Sequence, residues 1–143
     1  MELAIGLYKK ACEKDEYSAC GKMGTIYYLG KGVNQSYKNA LVYYTKASDN
    51  NDKDAQFGLG LIYFYGEGVN RNYSKAVMFY RKAAKQGQAN AQHNLGYMYG
   101  NGLGVKKDYK KTYLYWSAAA KQGNKPAQTS LKQLCRVAPR VCK

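Results

Sequence analysis

The sequence predicts an all-α fold, a right-handed α/α solenoid of 36-residue helix-turn-helix repeats. Three observations carry that expectation. Met23-Gly24-x-x-Tyr27 recurs as Leu59-Gly60-x-x-Tyr63 and Leu95-Gly96-x-x-Tyr99. A glycine pair before valine recurs as Gly30-x-Gly32-Val33, Gly66-x-Gly68-Val69 and Gly102-x-Gly104-Val105. Two single-residue registers run through the chain, Ala19, Ala55, Ala91 and Ala127 in one and Tyr8, Tyr44, Tyr80 and Trp116 in the other. A constant period of this length marks units that cannot each close a core and must stack on their neighbours.

Each element follows from that period. Residues 1–13 read as a half-repeat, because Ala4, Tyr8 and Ala11 match Ala40, Tyr44 and Ala47 of a second helix. They are expected to be either an excised fragment's first helix or an N-terminal cap. Repeats follow at 19–51, 55–87 and 91–123, and 127–143 supplies a C-terminal capping helix, the whole forming one domain. In the middle unit, residues 54–64 place Ala55, Leu59, Ile62 and Tyr63 on one helical face. Asp52 and Asp54 suit its N-terminus, where acidic groups meet free N–H donors. The Gly66/Gly68 pair ends it, since glycine reaches positive φ at no steric cost. A second helix is expected over about 73–85, closed by Lys85-Gln86-Gly87. Gly24, Gly60 and Gly96 fall in mid-helix, where each costs up to about 1 kcal/mol against alanine. Three such glycines in one register imply a close helix approach, with Ala4, Ala40, Ala76 and the larger Thr112 expected opposite them.

The combined pattern A-x-x-x-L-G-x-x-Y-x-x-G-x-G-V, then Y-x-x-A-x-x-x-Y-x-x-A-A-x-x-G, resembles Sel1-like repeats, relatives of tetratricopeptide repeats with a longer inter-helix loop. The clearest stretch is Ala55 to Gly87, echoed by Ala91 to Gly123. The resemblance implies a scaffold that binds other proteins, in some bacterial cases in host interaction or as immunity proteins to secreted effectors.

Four cysteines stand at the two ends of the array. Cys12 closes one second helix and Cys20 opens the next first helix, while Cys135 and Cys142 flank a turn containing Pro139. Lys10-Ala11-Cys12 and Ala19-Cys20 resemble the cysteine-rich Sel1 subfamily of Helicobacter and Campylobacter, although the intervening repeats carry no cysteine. Local spacing and that resemblance together imply Cys12–Cys20 and Cys135–Cys142 bridges, the alternative being buried free thiols. Bridges imply an oxidising compartment, so a secreted or periplasmic location is expected. A metal site is not expected, with one histidine and no C-x-x-C.

Charge is unevenly spread. Residues 1–68 carry eight Lys/Arg and eight Asp/Glu, whereas residues 69–143 carry fifteen Lys/Arg against Asp108 alone. Such asymmetry points to a partner with an acidic surface, a nucleic acid or another anionic surface. No apolar run of about 18 residues is present for a membrane-spanning helix. Lys9 and Lys10 interrupt any signal-like apolar start.

No catalytic or cofactor-binding constellation emerges. His93 has no acidic neighbour in sequence to orient it, and no serine–histidine arrangement is visible. The Gly-x-Gly loops lack the Gly-Lys-Ser/Thr of a phosphate loop and read as turn punctuation. Penicillin binding or β-lactamase activity, associated with some cysteine-rich Sel1 relatives, finds no Ser-x-x-Lys beside a suitable partner.

Partner contacts are expected on the first helices, whose positions two before the repeat leucine and two and five after it should line a concave face. These offsets name Gly21, Thr25 and Tyr28, then Phe57, Leu61, Phe64 and the adjoining Tyr65, then His93, Tyr97, Gly100 and Asn101. Tyr28, Phe57, Leu61, Phe64, Tyr65, His93, Tyr97 and Asn101 are the expected partner-binding residues, because aromatic anchors ringed by polar groups are typical interface centres. The alternative is that the apolar ones are inter-repeat core. Lys106, Lys107, Lys110 and Lys111 form a separate basic surface. A non-catalytic adaptor that binds a protein is therefore the leading function, ahead of nucleic-acid or anionic-surface binding, since cations clustered in one half do not make a repeated base-reading code.

Overall fold

The computed structural model describes residues 2–143, which form α-helices joined by short turns. They divide into two compact units, one ending at Arg71 and the other beginning at Asn72. The first holds α1 (Glu2–Glu13), α2 (Tyr17–Leu29), α3 (Tyr37–Asp49) and α4 (Lys53–Tyr65). The second holds α5 (Tyr73–Lys85), α6 (Ala89–Asn101), α7 (Tyr109–Lys121) and α8 (Lys125–Val137), closed by a 3₁₀ turn over Pro139–Cys142.

Local chemistry sets these boundaries. Ser36, Asp52, Asn72, Gln88, Asp108 and Asn124 each accept a backbone N–H of their helix's first turn, and so satisfy donors that the helix cannot. Gly30, Gly66 and Gly102 end α2, α4 and α6 in the left-handed conformation, each returning its N–H to a carbonyl of the last turn.

In the first unit α2, α3 and α4 pack around Met23, Ala40, Tyr44, Ala47, Leu59 and Ile62, all buried. Burying each large apolar side chain contributes about 1.5–3 kcal/mol. Tyr44 is the keystone. A Cβ added to Gly24 of α2, or to Gly58 of α4, would lie 2.5 Å from its ring. One phenol is thus clamped between two helix backbones that only glycine leaves bare. The expectation that Ala40 lies opposite Gly24 is corrected accordingly. A helical side chain leans back over the turn preceding its own Cα, so the group covering Gly24 sits one turn later, at Tyr44.

The second unit repeats the device with a larger ring. Gly96 of α6 faces Trp116 of α7, and Thr112, expected opposite this glycine, lies against it and donates its hydroxyl to the Gly96 carbonyl at 2.9 Å. Ala76, Tyr80, Ala83, Leu95, Met98, Ala119 and Ala127 complete this core. The α6–α7 loop lies on the start of α5, where a Cβ on Gly104 would meet the Tyr73 carbonyl oxygen at 2.7 Å.

Candidate functional site

In the second unit α6, α7 and α8 enclose a cleft of about 540 Å³. His93, Tyr97, Gly100 and Asn101 line it from α6, Tyr109, Thr112 and Trp116 from α7, and Ser130, Gln133, Leu134 and Val137 from α8. Its floor is fixed. The Trp116 indole N–H donates to the His93 carbonyl at 2.8 Å, and the two rings stack with centroids 5.9 Å apart. Asn101 Nδ2 donates to the Tyr97 carbonyl at 2.9 Å, which holds the amide oxygen away from its own helix. The rim is apolar and uncovered, with Tyr97 45% and Val137 69% exposed. The lining holds no Asp, Glu, Lys or Arg. Aromatic walls with a few fixed amides and hydroxyls suit an uncharged or weakly polar chain segment.

The sequence offsets brought His93, Tyr97, Gly100 and Asn101 to one place, and the structure adds the α7 and α8 walls. The α8 wall was legible too. The offsets that name Tyr97 and Asn101 name Gln133 and Val137 when carried one more period of 36 residues.

The statement that no serine–histidine arrangement exists is corrected. His93 Nε2 lies 3.3 Å from Ser130 Oγ, and His93 Nδ1 lies 3.2 Å from Asn94 Oδ1. Thirty-seven residues separate His93 and Ser130, so only helix stacking joins them. Ser130 lies in mid-α8, where backbone N–H groups are spent within the helix. It therefore lacks the adjacent main-chain donors that usually form an oxyanion hole.

In the first unit the expected residues divide. Gly21 and Thr25 line a hollow of about 380 Å³ together with Tyr8, Lys22, Asp52 and Asp54. Thr25 Oγ1 hydrogen-bonds the Tyr44 hydroxyl at 2.9 Å. Tyr28 is used internally. Its hydroxyl donates to Glu67 of the α4–α5 loop, and its ring packs against Tyr37 and Tyr44. Burial and then the Glu67 carboxylate hold the Tyr28 phenol well above the usual tyrosine range. Phe57, Leu61 and Phe64 on α4 are half-buried, while Tyr65 is 63% exposed and meets Phe64 edge-on at 4.9 Å.

Lys106, Lys107, Lys110 and Lys111 are exposed around the start of α7. Cys12 and Cys20 have sulfurs at bonding distance with Cα atoms 4.7 Å apart, and Cys135 and Cys142 do so at 5.6 Å. No described helix is long and apolar enough to cross a membrane.

Comparison with known proteins bears on this geometry. The Sel1 repeat model matches residues 1–16, 18–52, 53–88 and 89–124. A Sel1 repeat protein from Oxalobacter formigenes is 32% identical with a TM-score of 0.82, over 90% of this chain and 53% of that one. A protective antigen of uropathogenic Escherichia coli displaying an SLR fold is 35% identical with a TM-score of 0.82, over 88% of this chain and 27% of that one. Helicobacter pylori cysteine rich protein B is 28% identical with a TM-score of 0.72, over 91% and 93%. The chain thus spans about half or less of the first two. No curated protein matches it.

Proposed function

The chain belongs to the Sel1 repeat family, and from that premise we propose that it is a non-catalytic scaffold that captures a segment of another protein in the cleft between α6, α7 and α8. The observation that carries this reading is the exposed aromatic and aliphatic rim, Tyr97, Tyr109 and Val137, around a floor locked by Trp116 and His93. Rigid aromatic anchors over a fixed floor bind at low entropic cost. The exposed Tyr65 and its α4 neighbours Phe57, Leu61 and Phe64 are assigned to partner contact as well, and Tyr28 supports them through Glu67. Fourteen Lys/Arg against Asp108 in residues 72–143 favour a partner with an acidic surface.

The two cysteine pairs at disulfide distance, and the likeness to a cysteine-rich Helicobacter protein, support an extracytoplasmic protein. Its finer form is secreted or periplasmic. The similar protective antigen fits a bacterial host-interaction role, and effector immunity is the other form of the same adaptor reading.

The test uses Trp116, the chain's single tryptophan, as reporter. Wild-type protein and Tyr97→Ala/Val137→Asp are used to capture proteins from the envelope fraction of the source organism. The captured protein is then titrated against each while indole emission is followed. A wild-type-specific partner that shifts Trp116 emission supports the cleft. Equal capture by the variant, with emission unmoved, would sink it.

A further inference from the structure

The loop from Gly102 to Asp108 and the helix turn after it carry more lysine than their counterparts. Lys106, Lys107 and Lys111 stand where the first repeat has Asn34, Gln35 and Asn39 and the second has Asn70, Arg71 and Lys75. The tyrosine behind the loop persists as Tyr27, Tyr63 and Tyr99. The fold therefore needs the loop and the ring, whereas full charge at this place is an addition.

Lys106, Lys107 and Lys111 line an open cleft of about 370 Å³ with Tyr99, Val105 and Asp108. Lys111 Nζ stands 5.1 Å from the Tyr99 ring centroid, and Lys107 Nζ stands 4.7 Å from that of Tyr109. Rings attract ammonium groups without neutralising them. The Tyr99 platform is itself fixed, stacked on Tyr115 at 5.8 Å and receiving a hydrogen bond from Arg81 Nη2 at 2.8 Å. Asp108 is the one acidic residue of 72–143, and its Oδ1 is taken by the N–H groups of Lys110 and Lys111. Three lysines thus share the cleft with a single carboxylate, whose Oδ1 is already spent on capping α7.

Like charges held together cost free energy, which a bound anion reverses. A carboxylate brings one charge and two oxygens. A phosphate monoester brings about −1.5 to −2 near neutral pH and three strong acceptors, and ammonium groups meet it as point charges with three donors each. We infer that this cleft is a phosphate-monoester site, in which Lys106, Lys107 and Lys111 take the dianion and the open mouth admits the group that bears it. The site adjoins the His93 cleft through Lys107 and Tyr109 but does not rest on partner capture there.

The experiment is an NMR titration of ¹⁵N-labelled protein with phenyl phosphate at fixed ionic strength, beside benzoate and hexaglutamate. Saturable shifts should be confined to Tyr99 and residues 105–111. Lys107→Gln/Lys111→Gln should lower affinity about tenfold or more, because charge-assisted bonds are lost. Lys121→Gln/Lys125→Gln removes the same charge elsewhere and should leave affinity within about twofold. Binding should weaken as pH falls through about 6, where the phosphate dianion takes up a proton and becomes a monoanion. Equal losses in both double variants, or hexaglutamate or benzoate binding as tightly as the monoester, would overturn the proposal in favour of a diffuse field. Displacement of phenyl phosphate by phosphatidic acid vesicles would place the ester on a lipid, and displacement by inorganic phosphate alone would place it on a small soluble species. Both keep the site.

Discussion

The Trp116 indole N–H donates to the His93 main-chain carbonyl at 2.8 Å while its ring stacks on the His93 imidazole. A carbonyl within α6 thereby gains a partner from α7, and the ring that forms the cleft floor cannot turn without breaking that bond. Trp116→Phe keeps an aromatic ring and removes the donor. It should cost about 1 kcal/mol of stability, the usual net value of such a bond. The urea midpoint followed by circular dichroism measures this, and an unchanged midpoint would show that stacking alone orients the floor.

Two glycine substitutions should act in opposite directions. Alanine gains about 1 kcal/mol over glycine inside a helix. At Gly6 nothing lies within 4 Å of an added Cβ, so Gly6→Ala should stabilise by about that amount. At Gly58 the added carbon would sit 2.5 Å from the Tyr44 ring, and overpacking of a filled core costs about 1–3 kcal/mol. Gly58→Ala should therefore destabilise on balance, and Tyr44→Leu should relieve part of that loss. Stabilisation by Gly58→Ala would mean that Tyr44 is free to move aside.

These glycines also show where sequence reasoning stops. Helix starts and ends were legible because caps and left-handed glycines act within a few residues: Asp52 and Gly66 bound α4 at Lys53–Tyr65, against an expected 54–64. Which side chain meets a mid-helix glycine depends on the lean and stagger of two helices, so Ala40 was expected where Tyr44 lies. The His93–Ser130 contact failed for the same reason, since 37 residues and two helix crossings separate the pair. Tyr28 was read by its position on a face. Its hydroxyl is instead satisfied by Glu67, 39 residues away, and no helical offset names that carboxylate.

Alkaline pH should loosen the fold through tyrosine. Burial and the Glu67 carboxylate raise Tyr28, burial raises Tyr44, and the hydrogen bond with Glu67 raises Tyr37 above their ordinary values. A raised folded-state value means that the unfolded chain loses its protons first. The contribution is complete below pH about 10, the unfolded value, and is lost as pH climbs beyond it. The urea midpoint should hold up to about pH 9 and fall above about pH 10. Tyr28→Phe/Tyr44→Phe should flatten that fall. A slope equally steep in the double variant would assign it to other groups.

The two disulfides should differ in worth, although their loops are nearly equal, with separations of 8 and 7 residues. Closing such loops in the unfolded chain predicts about 2–3 kcal/mol for either bridge. Their surroundings differ. Cys12 is 3% exposed and Cys20 fully buried, inside the junction of α1 and α2, whereas Cys135 and Cys142 are half-buried beside the 3₁₀ turn. Cys12→Ala/Cys20→Ala loses buried sulfur contacts as well as the cross-link, and should cost about 1–3 kcal/mol more than Cys135→Ala/Cys142→Ala. The C-terminal pair has a local signature. Without the bridge the Pro139–Cys142 turn loses its tie to α8, whose last residue, Val137, forms part of the cleft rim. Hydrogen exchange should then quicken in α8 while α2 and α3 keep their protection. Equal stability losses in the two double variants, with α8 exchange unchanged, would show that both bridges act only through the unfolded chain.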